Sequence, residues 1–135
     1  THPQPHVVLR SKKEEAVAYV KQMGGLVFYE NKDDESSDLE QVHLSSTPVI
    51  DIAPLAVLTT LRILTLDDTQ VRDVSPLAQL TRLTALNLRN TKVSDVSPLA
   101  TLMKLEALDL RGSPVSKQSI QQLQQTLPKL YINLP

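Results

Sequence analysis

Residues 61–82 read LRILTLDDTQVRDVSPLAQLTR and residues 83–104 read LTALNLRNTKVSDVSPLATLMK. Placed one above the other, the two segments match at nearly every apolar position, and their spacing is 22 residues. The same frame extends both ways: upstream as LEQVHLSSTPVIDIAPLAVLTT from Leu39, downstream as LEALDLRGSPVS from Leu105, and finally as LPKLYINLP from Leu127. Five starts in one register make a repeat architecture, in which no single unit closes a core and the stack is the folding unit.

Each position within the unit has a physical reading. Val42/Leu44, Leu64/Leu66, Leu86/Leu88, Leu108/Leu110 and Leu130/Ile132 alternate with polar residues. A period of two describes a strand buried on one face, so stacked copies predict a parallel sheet with one strand per repeat. Val71, Val93 and Val115 turn the chain inward after the strand. In Ser75-Pro76 and Ser97-Pro98 the serine suits a helix N-cap and the proline the first helical position. Leu77, Leu80, Leu99 and Leu102 then return to the core from the far side.

The ends differ from the middle. Residues 11–23, SKKEEAVAYVKQM, carry Ser11 and, three residues later, Glu14, the pattern of a capping box ahead of an amphipathic helix that Gly24-Gly25 end. A strand over 26–30 and a polar connection over 31–38 follow. At the other end KQSIQQLQQT replaces the S-P-L-A segment and predicts a more polar helix with Ile120, Leu123 and Leu127 inward. The expected division is a mobile tail over 1–10, an N-terminal cap over 11–38, four repeats over 39–126 starting at 39, 61, 83 and 105, and a partial terminal repeat over 127–135. Polar terminal units are what an open-ended solenoid needs, so both ends are expected to be capped.

The pattern L-x-x-L-x-L-x-x-T-x-V resembles the leucine-rich-repeat consensus, with Thr or Ser where many such families carry Asn. The S-P-L-A segment is similar to the 22-residue subclass of bacterial internalins. The resemblance spans 39–135 and implies an α/β fold: a right-handed horseshoe arc with a parallel sheet on its concave face. It also implies a bacterial source and protein binding on that face. The helix-plus-strand start departs from the internalin pattern, and no adhesin role carries over.

Composition narrows the function further. The chain has 135 residues, 14 basic and 15 acidic, for a net charge of −1. That balance supplies no field for nucleic acid or an anionic membrane. With no cysteine there is no disulfide, thiol chemistry or Cys-based zinc site, and either a secreted or a cytoplasmic setting is compatible. Aromatic residues make up only 3%, so the core must be aliphatic and layered.

By register, the outward positions fall into rows: Gln41, His43, Ser45, Ser46; Ile63, Thr65, Asp67, Asp68; Ala85, Asn87, Arg89, Asn90; Ala107, Asp109, Arg111, Gly112; and Lys129, Tyr131, Asn133. His43, Thr65, Asn87, Asp109 and Tyr131 are expected to form the central column. These positions vary while the core repeats, as a recognition surface would. The candidate partner-binding set is Gln41, His43, Ser45, Ile63, Thr65, Asp67, Asn87, Arg89, Asp109, Arg111, Lys129 and Tyr131. Arg89 beside Arg111 favours an anionic group between them, and with Tyr131 they would anchor an acidic stretch of a protein or peptide partner. Two competing pairings are a surface salt bridge between Asp67 and Arg89 and neutralisation of Arg111 by Asp109.

Catalysis and metal binding are not expected, and no cofactor is implied. His43, Ser45 and Asp67 lie on an open sheet face without the enclosed pocket and oxyanion donors a triad needs. The acidic run Asp33, Asp34, Glu35, Ser37, Asp38 and Glu40 lacks the glycine of a calcium loop. His2 and His6 are two ligands without a third. Asp51, Asp73 and Asp95 recur just before each S-P-L-A-type turn and read as local backbone acceptors. The expected function is a monomeric protein-interaction module. The competing expectation is a regulatory or sensor arm acting within a larger protein.

Overall fold

A computed structural model describes residues 11–135; the tail over 1–10, with His2 and His6, lies outside the described residues. The elements run α1 (Lys12–Gln22), β1 (Leu26–Tyr29), β2 (Leu39–His43), a 3-10 helix (Ala53–Val57), β3 (Ile63–Thr65), a second 3-10 helix (Ser75–Gln79), β4 (Ala85–Asn87), a third (Ser97–Thr101), β5 (Ala107–Asp109), α2 (Lys117–Thr126) and β6 (Tyr131–Asn133). The strands form one six-stranded sheet in chain order. β2 to β6 are parallel, whereas β1 pairs antiparallel with β2.

The 22-residue spacing becomes the strand register directly: Val42 pairs with Leu64, Leu64 with Leu86, and Leu86 with Leu108. These leucines and valines, with Leu44, Leu66, Leu88 and Leu110, are almost wholly buried. Val71, Val93, Val115 and the returning leucines 55, 58, 77, 80, 99 and 102 close the core from behind. Fully burying one such side chain contributes roughly 1.5–3 kcal/mol as an upper estimate.

A second ladder stitches the repeats internally. The hydroxyls of Thr47, Thr69, Thr91 and Ser113 donate to the carbonyls of Leu44, Leu66, Leu88 and Leu110 at 2.7, 2.6, 2.9 and 2.6 Å. Here Thr or Ser satisfies a carbonyl at the end of the strand, and at Thr69, Thr91 and Ser113 it does so where water is excluded.

The turns into the 3-10 helices differ from the serine-capped expectation. Asp51, Asp73 and Asp95 accept from the backbone N–H of Ala53, Ser75 and Ser97 at 2.9, 2.8 and 2.9 Å. No side chain caps from the N-cap position itself, which is Ile52, Val74 or Val96. An aspartate two residues before the free N–H reaches it in an Asx turn, and the serine donates to that aspartate instead of capping the helix itself. Hydrogen bonding from Ser75 and Ser97, first from hydroxyl and then from backbone, holds Asp73 and Asp95 below the usual carboxylate range.

At the N-terminal end Ser11 and Glu14 form the capping box, and α1 ends in a Schellman motif: Gly25 N–H to Val20 carbonyl and Gly24 N–H to Lys21 carbonyl. Gly24 takes φ +92°, which a side chain would resist. A Cβ at Gly25 would stand 2.8 Å from the His43 carbonyl, so glycine here lets the chain pass tightly against β2. Ala16, Val17 and Val20 join the core, and the Tyr19 hydroxyl donates to the Asp51 carbonyl at 2.6 Å.

At the other end the register changes. β6 pairs Ala107 with Tyr131, Leu108 with Ile132 and Asp109 with Asn133, an offset of 24 rather than 22 residues. The ten-residue α2 stands where the earlier repeats have a five-residue 3-10 helix. The longer crossing consumes two more residues before the chain can re-enter the sheet.

Candidate functional site

The open face of the sheet carries the outward side chains in three columns, and the change of register rearranges them. The first column runs Phe28, Gln41, Ile63, Ala85, Ala107, Tyr131, and the second Leu26, His43, Thr65, Asn87, Asp109, Asn133. The expected central position of Tyr131 is therefore taken by Asn133, and Tyr131 lies beside Ala107. Lys129 falls in the turn before β6 rather than on a strand. The third column, Ser45, Asp67, Arg89 and Arg111, lies just past the strand ends.

Ser46, Asp68 and Asn90 are not strand residues either. They hold φ of +56°, +56° and +53°, with Gly112 at +73°, in the turn that leaves each strand. Asn, Asp and Gly tolerate this left-handed region best. Asn90 Nδ2 donates to Asp68 Oδ1 at 2.9 Å, joining adjacent turns.

The three columns differ in chemistry. The first is mainly apolar: Phe28 and Tyr131 are exposed at its ends, with Ile63 and two alanines between. Over those alanines lies a shallow hollow of about 160 Å³ lined by Ile63, Thr65, Ala85, Asn87, Ala107 and Asp109 among others. The Phe28 ring meets the His43 ring edge-on at 5.5 Å between centroids.

The second and third columns are linked by hydrogen bonds. His43 Nε2 lies 2.9 Å from Gln41 Oε1 and Nδ1 lies 3.0 Å from Thr65 Oγ1. The Ser45 hydroxyl donates to Asp67 Oδ1 at 2.5 Å. Both ring nitrogens of His43 are thus engaged away from Ser45, so these three residues do not make the nucleophile–base–orienter chain of a triad. Asp67 pairs with Ser45 and forms no ion pair with Arg89.

Further along, the Asp109 carboxylate accepts from Arg111 Nε at 3.0 and 3.2 Å and from Nη2 at 2.7 Å. It also accepts from the Arg111 backbone N–H at 3.1 Å. The guanidinium, and secondarily that N–H and the nearby Arg89, hold Asp109 below the usual carboxylate range. Arg111 is therefore largely neutralised within the chain. Arg89, whose guanidinium is in no ion pair or hydrogen bond among the described residues, keeps its charge uncommitted. Among the described residues no group of three His, Asp or Glu side chains is placed to hold a metal ion. Nor is any described helix long and apolar enough to cross a membrane.

A mainly parallel sheet whose strands β2 to β5 recur every 22 residues is the fold of leucine-rich-repeat proteins, and this chain carries that repeat. Solved structures agree. Internalin C2 from Listeria monocytogenes is 38% identical at a TM-score of 0.62, over 69% of this chain and 40% of its own. A leucine-rich-repeat protein from Leptospira interrogans is 26% identical at a TM-score of 0.65, over 72% of this chain and 26% of its own. The ectodomain of a receptor kinase from Arabidopsis thaliana, at 17% identity, shares the fold alone, with a TM-score of 0.65 over 90% of this chain and 77% of its own. This chain thus spans about a quarter of the Leptospira protein and two fifths of the internalin. No family model and no curated protein matches it.

Proposed function

We propose that this chain is a protein–protein interaction module of the 22-residue, S-P-L-A-containing internalin-like subclass, and that it binds its partner on the open face of the sheet. In this reading the sheet lines the concave side of a right-handed arc, with α1–β1 and α2 capping its ends, and the module acts as a monomer. The residues that meet the partner are Gln41, His43, Ser45, Ile63, Thr65, Asp67, Asn87, Arg89, Asp109, Arg111 and Tyr131. Lys129, from its turn, reaches only the rim.

One observation carries the reading. Core positions repeat from unit to unit, while the columns facing solvent change from apolar to polar to charged across a face that no element of the described chain covers. Large aromatic and arginine side chains at such a face are the types that dominate binding energy. The acidic partner segment rests on Arg89 first, with Arg111 secondary because Asp109 already holds it.

The test is capture of partners from extract and secretome of the source organism, followed by affinity measurement on the purified pair. Arg89→Ala/Arg111→Ala/Tyr131→Ala, matched to the unsubstituted protein in melting temperature, is expected to weaken the partner at least roughly tenfold, about 1.4 kcal/mol. A partner bound equally well by both proteins would move the site off this face.

A further inference from the structure

Resting on the open-face reading, we infer that the face recognises an extended peptide through two features: one large apolar side chain seated over Ala85 and Ala107, and one carboxylate, three or four residues away, held by Arg89.

The apolar half follows from the register. In the first column, Ile63 and Tyr131 stand on either side of two adjacent strands that carry only alanine. With strands about 4.8 Å apart, the interval between the two large side chains is on the order of 14 Å. Two missing side chains leave the hollow of about 160 Å³, with hydrocarbon from Ile63, Ala85 and Ala107 on it. A Leu, Met or Phe side chain placed there would cover methyl groups now facing water, whereas a polar one would lose hydration over a surface that is mostly hydrocarbon.

The acidic half follows from charge accounting across the third column. Asp67 accepts from the Ser45 hydroxyl, keeps its charge and forms no ion pair among the described residues, and Arg111 has both oxygens of Asp109. Arg89, between them, has no anionic partner among the described residues. A guanidinium presents a fork suited to two oxygens of one carboxylate. A basic residue placed there would meet the Arg89 cation, so this position selects against positive charge.

Spacing joins the two halves. Ala85 and Arg89 belong to the same repeat, separated by four residues, at most about 14 Å of extended chain. A peptide laid along the strand direction bridges that interval in three or four residues. Between the anchors lies Asn87, whose Oδ1 accepts from the Arg89 N–H at 3.0 Å. Its amide N–H₂ is left to donate to a peptide carbonyl.

The probe is a random twelve-residue peptide library displayed on phage. It is selected in parallel on the unsubstituted protein, on Ala85→Glu, which fills the hollow with charge, and on Arg89→Gln, with all three checked for equal melting temperature. On the unsubstituted protein the expected enrichment is one large apolar residue with Asp or Glu three or four positions away. Ala85→Glu should fail to enrich these sequences. Arg89→Gln should keep the apolar preference and lose the acidic one, weakening a selected synthetic peptide at least roughly tenfold. Peptides of other chemistry that still depend on Ala85 would overturn this inference and leave the open-face reading standing. Peptides that bind all three proteins alike would overturn both, and failure to enrich any sequence would overturn the two-anchor inference.

Discussion

Thr69→Val removes one hydroxyl and changes almost nothing in volume. Thr69 is 1% exposed, and its hydroxyl donates to the Leu66 carbonyl at 2.6 Å. No backbone N–H reaches that carbonyl among the described residues. The equivalent carbonyl in the first repeat, Leu44, accepts from the Thr47 hydroxyl at 2.7 Å and also from the Thr47 backbone N–H at 3.3 Å. Thr47 is also half-buried, so water can approach. The same substitution therefore strands a buried acceptor at 69 and only thins the bonding at 47. A buried acceptor left unsatisfied costs about 1–3 kcal/mol, whereas an ordinary hydrogen bond with a substitute available is worth about 0.5–1.5 kcal/mol or less. Urea unfolding of Thr69→Val and Thr47→Val, followed by circular dichroism, should show a larger loss at 69 by about 1 kcal/mol, with unchanged m-values. Equal losses, or a loss at 69 below about 0.5 kcal/mol, would refute the view that the threonine ladder does more than fill space.

Other expectations follow from the same geometry. Leu86→Ala, at the centre of the core, should cost about 2–5 kcal/mol by urea unfolding, since its neighbours on β3 and β5 are leucines fixed in register. Gly112→Ala places a Cβ against Asn90 Oδ1 at φ +73°, so a loss of about 1–2 kcal/mol is expected, partly relieved when combined with Asn90→Gly. Asp109 has a folded-state pKa below its unfolded value, so its contribution to stability is complete above the unfolded pKa, near 3.9, and is lost as pH falls through the folded value. In Arg111→Ala the Asp109 carboxyl should titrate higher, and carboxyl-carbon NMR would show it. An unmoved titration would mean the ion pair does not persist in solution.

Much of the fold was legible because repetition multiplies a weak signal: a single L-x-x-L-x-L is ambiguous, but four in one frame, starting at Leu39, Leu61, Leu83 and Leu105, fix the strand, its buried face and its neighbours. The sequence reading erred where repetition stopped. Extending the 22-residue frame past Ser116 placed Tyr131 beside Asp109, although KQSIQQLQQT is visibly longer than S-P-L-A-Q and had to displace the strand by two residues. The strand at 26–30 was recognised, but nothing in a one-strand-per-repeat pattern indicated that it would join the sheet antiparallel and bring Leu26 and Phe28 onto the open face. Asn90 and Gly112 stand in the expected outward rows against the period-two alternation, and Asn and Gly at one repeat position are a sign of left-handed turn geometry. Which charges on the face were already satisfied could not be read from spacing. Asp67 could reach either Ser45 or Arg89, and only side-chain placement decides between them.

The identical offset between β2, β3, β4 and β5 has a consequence for how such a face can change. Removing residues 83–104 would set Leu64 against Leu108, and each core leucine would meet a neighbour of the same kind in the same register. The stack would shorten without repacking. On the open side the same excision would delete Ala85, Asn87 and Arg89 together, closing half the hollow and removing its cation in one step. Inside, the protein is modular at a grain of 22 residues. Its outer surface is thus free to be rewritten a whole repeat at a time, a form of variation that point substitution within a tightly packed core does not offer.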